Sequence, residues 1–141
     1  MAQAIPYLAF DGTCADAMHH YAEVLGLGAK LEMIVRGADS PMAKHMSPEQ
    51  AQLVMHARIS FADGSLLYAG DTPAHMKYDG IKGVTITMNY PTVAEAERVF
   101  ETLAVGGQIT MPLEPMFWAK KAGMLIDRFG TPWAINGELT M

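Results

Sequence analysis

One cysteine, Cys14, in 141 residues leaves no partner for an intramolecular disulfide and no thiolate cluster for zinc, and it suits a reducing compartment. Basic side chains are scarce too, ten against fifteen acidic ones. No basic cluster exceeds the pair Lys120 and Lys121, so the footprint that nucleic acid or an anionic membrane requires is missing. No uncharged apolar run approaches the ~18 residues of a membrane-spanning helix. The first five residues lack the basic region and apolar core of a signal peptide, and a soluble cytoplasmic protein is expected. Also absent are a glycine-rich strand-to-helix loop for a nucleotide cofactor, a pair of carboxylates and a nucleophile with a base beside it.

Half of the residues are apolar and the net charge is −5. A chain of this length supports one core that buries roughly two-thirds of the unfolded surface. Twelve methionines are many, but they are scattered and read as adaptable core fillers.

The stretch 117–136 contains both tryptophans and reads as a β-hairpin, two apolar runs around the turn Asp127-Arg128-Phe129-Gly130-Thr131-Pro132. Residues 61–68, turning at Gly64, have the same shape. Residues 5–10 read as a strand, and Thr13 with Asp16 forms a capping-box pattern for a helix whose apolar stripe is Ala17, Tyr21, Val24 and Leu25. Residues 29–36 are a strand, and 37–52 a polar loop with one short helical turn near Pro48 that is long enough to close over a site. Residues 53–61 and 65–70 form the first hairpin. A strand over 81–90, a helix capped by Thr92 and Glu95 with the stripe Ala96, Phe100 and Leu103, and a strand over 108–113 lead into the closing hairpin.

The two halves repeat. Thr13 and Thr92, Ala17 and Ala96, Tyr21 and Phe100, and Gly28 and Gly107 are each 79 positions apart, whereas Gly64 and Gly130 are 66 apart. The shortfall matches the loop over 37–52, which only the first half carries. An α+β fold of two tandem βαβββ modules, 1–80 and 81–141, is therefore expected, forming a single domain over 1–141.

Tandem βαβββ units with Ile5-Pro-Tyr-Leu-Ala-Phe-Asp-Gly-Thr-Cys14-Ala-Asp-Ala, His56-Ala-Arg-Ile, and Phe117-Trp118 followed by Asp127-Arg-Phe-Gly-Thr-Pro-Trp-Ala-Ile-Asn136 resemble the PhnB-like branch of the vicinal oxygen chelate superfamily. That superfamily includes glyoxalase I, extradiol dioxygenases and bleomycin-resistance proteins. The resemblance implies modules related by a pseudo-two-fold axis, a strongly curved mixed sheet forming a cleft, and a homodimer. In metal-dependent members it also implies four inward-facing ligands, which here fall near Pro6, Tyr68, Thr85 and Ala134. None is an imidazole or carboxylate, so neither metal nor cofactor is expected.

The candidate ligand-binding residues are His56, Tyr68, Phe117 and Trp118, lining an apolar cleft. His56 is either a base or ligand contact or a hydrogen-bonded core histidine. Phe117 and Trp118 line a cleft or pack in the core. His19 and His20 are adjacent on a helix, point about 100° apart and read as a solvated face, and His45 and His75 sit in loops without partner spacing. Cys14 is either a thiol activated by the helix dipole or a small buried residue. Two functions follow: a binder of an unidentified small molecule, as metal-free bleomycin-resistance members suggest, or a metal-independent enzyme with His56 as general base.

Overall fold

Alternation decides the first sheet. In β1 (Tyr7–Phe10), Leu8 and Phe10 are buried while Tyr7 and Ala9 face outward. In β3 (Val54–Ser60) and β4 (Leu66–Asp71) the alternation continues with buried Ala57 and Ile59, and buried Leu67 and Ala69. These side chains meet Cys14, Ala17, Met18 and Tyr21 on the buried stripe of α1 (Cys14–Val24), with the Phe10 and Tyr21 rings 6.5 Å apart. With β2 (Lys30–Arg36) the sheet has the order β1-β4-β3-β2, in which β1 is parallel to β4 and the other pairs are antiparallel.

These elements come from a computed structural model that describes residues 2–141, in two compact units, one ending at Gly80 and the other running from Ile81 to Met141. The second unit repeats the plan with β5 (Ile86–Tyr90), α3 (Val93–Ala104), β6 (Gln108–Glu114), β7 (Ala119–Ile126) and β8 (Pro132–Leu139). Its sheet has the order β5-β8-β7-β6, again with the first pair parallel. Ile86, Met88, Leu125, Trp133 and Ile135 pack with Ala96, Val99, Phe100 and Leu103 of α3, so Tyr21 and Phe100 fill corresponding places in their own modules. Gly123 has no room for a side chain, since a Cβ there would lie 2.8 Å from Phe100 Cε2 and 2.9 Å from the Leu113 backbone.

Three local expectations are corrected. The strand over 81–90 shrinks to β5, because its partner β8 begins at Pro132, pairing starts at Ile86 with Trp133, and Gly83 turns the preceding backbone at φ +74°. The polar stretch over 37–52 is more ordered than a loop with one helical turn: the turn near Pro48 is present as α2 (Pro48–Gln52), whose Ser47 and Gln50 cap each other reciprocally, and unforeseen 3₁₀ turns at Gly37–Asp39 and Ala43–His45 precede it.

The third correction concerns α1. Thr13 makes no side-chain capping bond there. Instead Asp71, at the end of β4, accepts from Gly12 N and Cys14 N through Oδ1, both at 3.0 Å, and from Val54 N through Oδ2 at 2.9 Å. One carboxylate thus satisfies the helix start and ties it to two strands. In the second module Thr92 does cap, accepting from Glu95 N at 3.2 Å. The last strand contributes again through Glu138, whose Oε2 accepts from Val93 N at 3.1 Å.

Candidate functional site

Residues of β1, β3 and β4 that alternate away from α1 make a polar-aromatic patch on the other face of the first sheet. Register places Tyr7 beside Tyr68 and Arg58 beside Tyr68. His56 and Tyr68 meet edge to face with centroids 4.7 Å apart, and Tyr7 lies 6.1 Å from His56 and 6.4 Å from Tyr68. The Arg58 guanidinium carbon is 5.8 Å from the Tyr68 ring centre. Two sequence candidates, His56 and Tyr68, are therefore neighbours. His56 is half-buried, and no hydrogen bond engages its ring nitrogens among the described residues.

Tyr7 also belongs to a cavity of about 560 Å³ within the first module, a size typical of small-molecule sites. Its floor is Tyr7, Ala9, Val54, Met55, Gly70 and Asp71, and its walls come from residues 42–53 and 72–76. Four methionines, Met42, Met46, Met55 and Met76, line it together with His45 and His75. The Tyr7 hydroxyl donates to the Met55 carbonyl at 3.0 Å across Gly70, where a Cβ would crowd that oxygen. Burial, then the nearby Cys14 sulfur, raises the Tyr7 phenol above its ordinary value, so it acts as a neutral hydrogen-bond donor.

The covering segment is pinned where it leaves and rejoins the sheet. Gly37 N donates to Leu53 O at 3.0 Å, Arg36 Nη1 donates to Gln52 O at 2.7 Å, and Arg36 N donates to Asp39 Oδ2 at 3.0 Å. The stretch read as able to close over a site lies against this cavity. Sequence reasoning missed Tyr7, Arg58 and the four methionines. The only signal was the total of twelve Met, which carries no spacing to say which of them converge.

Phe117 and Trp118 stand in the second module as an edge-to-face pair with centroids 4.8 Å apart. Phe117 is 78% exposed, which removes the core-packing reading for it. Trp118 Nε1 donates to Asn136 Oδ1 at 3.1 Å, and Asn136 Nδ2 donates to Asn89 Oδ1 at 2.9 Å. This chain holds the indole by its polar edge. Asn89 and Asn136 had passed as ordinary strand positions.

Cys14 is fully buried, and its thiol is pushed up to about 12 by burial and by the Asp71 carboxylate, against the opposing pull of Arg36. The activated-thiol reading fails because desolvation outweighs any dipole at the helix start. Register sets Tyr7 beside Tyr68 and Thr87 beside Ala134, next to the family metal positions near Pro6, Tyr68, Thr85 and Ala134. The set Tyr7, Tyr68, Thr87 and Ala134 contains no imidazole or carboxylate and does not fit a divalent ion. Among the described residues, no group of three or more His, Cys, Asp or Glu side chains is placed to hold one. No helix among them is long and apolar enough to cross a membrane.

No family model matches the chain. Protein YjdN of Escherichia coli (strain K12) is 30% identical over 139 residues, covering 93% of this chain and 92% of that protein. Among solved structures, protein PA1353 from Pseudomonas aeruginosa is 41% identical with a TM-score of 0.88 and 98% of each chain covered. The PhnB protein from Bacillus cereus is 24% identical with a TM-score of 0.78, covering 96% of this chain and 98% of that one. A glyoxylase/bleomycin resistance protein/dioxygenase domain from Frankia sp. EAN1pec is 12% identical with a TM-score of 0.61, covering 98% and 97%. The last two likenesses speak to the fold alone.

Proposed function

This chain belongs to the PhnB-like branch of the vicinal oxygen chelate superfamily, and from that premise we propose that it is a small-molecule-binding protein taking a compact, largely apolar ligand in the first module. The observation that carries the reading is the cavity of about 560 Å³ with four methionines in its lining. Unbranched thioether side chains repack around ligands of different outline, so such a lining favours shape tolerance over stereospecific chemistry. His56 and Tyr68 flank Tyr7 on the same sheet and are assigned to the polar side of this site. Phe117 and Trp118 are assigned the matching aromatic role in the second module. A cytoplasmic location and a homodimer complete the proposal, and sedimentation equilibrium showing only a 15.3 kDa species at micromolar concentration would remove the dimer.

The test uses Nile red, a neutral apolar fluorophore. We expect saturable binding near one per chain and a rise in melting temperature by mass action. Met42→Asp and Met76→Asp, at positions 58% exposed and tolerant of charge, should each weaken binding at least tenfold while the chain stays folded. Absence of saturable binding, or unchanged affinity in both variants, refutes the cavity assignment.

A second reading, a metal-independent enzyme with His56 as general base, is favoured by the unengaged imidazole beside two tyrosine rings. It requires a turnover that His56→Gln abolishes while substrate binding persists. Equal turnover in that variant discards it.

A further inference from the structure

Arg58 is a half-buried cation with no carboxylate paired to it among the described residues. It projects from the face of β3 that turns away from α1. Its Nε is buried and has no hydrogen-bond partner among the described residues. Nη2 donates to the thioether sulfur of Met33 at 3.4 Å, a weak acceptor. The ion pairs of the described residues are Lys77 with Asp79, Lys120 with Glu138 and Lys121 with Glu97, and Arg58 takes part in none. Glu32, on the neighbouring part of the sheet, is engaged by Ser60 Oγ at 2.6 Å.

A buried guanidinium N–H bonded to nothing is unfavourable, and a chain normally supplies an acceptor or an anion. Nε–H together with an Nη N–H forms the planar fork that holds two oxygens of one oxyanion through parallel bonds. The flat faces beside it, Tyr68 at 5.8 Å from the guanidinium carbon and His56 against Tyr68, suit a planar body attached to that oxyanion. We propose that Arg58 is the recognition point for the acidic group of a small organic acid, a carboxylate or a phosphoryl oxyanion, on the aromatic face of the first sheet. Arg58 does not line the methionine cavity, but it shares His56 and Tyr68 with that site's polar side, so the assignment rests in part on the cavity reading, and Nile red binding distinguishes failure of one from failure of the other.

The probes are benzoate, phenyl phosphate and the neutral benzamide, titrated calorimetrically at matched ionic strength. At least one acid should bind the wild-type chain tenfold or more tightly than benzamide, and the tighter of the two identifies the oxyanion. Arg58→Gln should abolish that preference and leave benzamide and Nile red binding unchanged, whereas Arg58→Lys, with the charge but not the fork, should retain part of it. Benzamide binding as tightly as both acids, or undiminished acid binding in Arg58→Gln, overturns the proposal. A wild-type arm covers a variant that fails to fold: the preferred acid should raise the melting temperature above that in sodium chloride of equal ionic strength, and no rise overturns it as well.

Discussion

Replacing Asp127 tests whether the closing hairpin is held by a buried carboxylate or by turn propensity alone. Asp127 is 4% exposed. Its Oδ1 accepts from Phe129 N at 2.8 Å and Thr131 N at 3.0 Å, and its Oδ2 accepts from the indole Nε1 of Trp133 at 2.8 Å. Trp133 is fully buried under α3, so the carboxylate joins the turn to the core of the module. Hydrogen bonds to charged groups contribute about 1.5–3 kcal/mol each. Three would sum to about 4.5–9 kcal/mol if they were additive, which is comparable to the lower half of a typical domain's total stability. Water reaching the part-buried Phe129 N–H offsets some of this, so Asp127→Ala is expected to cost about 3–5 kcal/mol. Asp127→Asn keeps an acceptor for the turn but can set an amide against the indole N–H, and about 1.5–3 kcal/mol is expected. Urea melts followed by far-UV circular dichroism measure both, because tryptophan fluorescence would be confounded in the companion variant Trp133→Phe. The cycle of Asp127→Asn with Trp133→Phe should show a coupling above about 1 kcal/mol. A cost under about 1 kcal/mol for Asp127→Ala, or a coupling near zero, would refute the reasoning and leave an ordinary Asp-Gly turn.

Asp71→Ala should cost about 2–4 kcal/mol in the same melts by freeing the Gly12, Cys14 and Val54 N–H groups, whereas Thr13→Ala should stay within about 0.5 kcal/mol; the reverse order would restore Thr13 as the cap. The thiol of Cys14 is raised from its ordinary value of 9.0 to about 12 on folding, so the unfolded chain loses its proton first as pH rises. Its contribution to stability is therefore complete below pH 9 and lost between 9 and about 12, and the pH–stability curve of Cys14→Ala should be flatter than wild type across that window. Curves of equal slope would mean that the sulfur is solvated.

The repeat was legible in the chain because its signals are local. Stripes at helical spacing, Gly64 and Gly130 at turns, and Thr92 three residues before Glu95 each involve neighbours within about one turn of backbone. Asp127 could be read as a turn residue for the same reason. What it accepts from Trp133 could not be read, since β8 must first fold back along β7 and turn the indole toward α3. Asp71 looks like one more polar residue in a Pro- and Gly-rich link, and it becomes the helix cap only when β4 is laid beside β1, bringing it to Cys14 across 57 positions. Tyr7 meets Met55 across 48 positions by the same pairing, and that closes the floor of the methionine cavity. Methionine has no periodic partner that would mark a site, and an arginine in a strand reads as solvated until the register shows what surrounds it. Local backbone preference, set residue by residue, was enough to specify the elements and their order. Which side chains share a cavity, and which charge is left without a partner, depends on strand register, and register emerges only when the whole module packs its buried face.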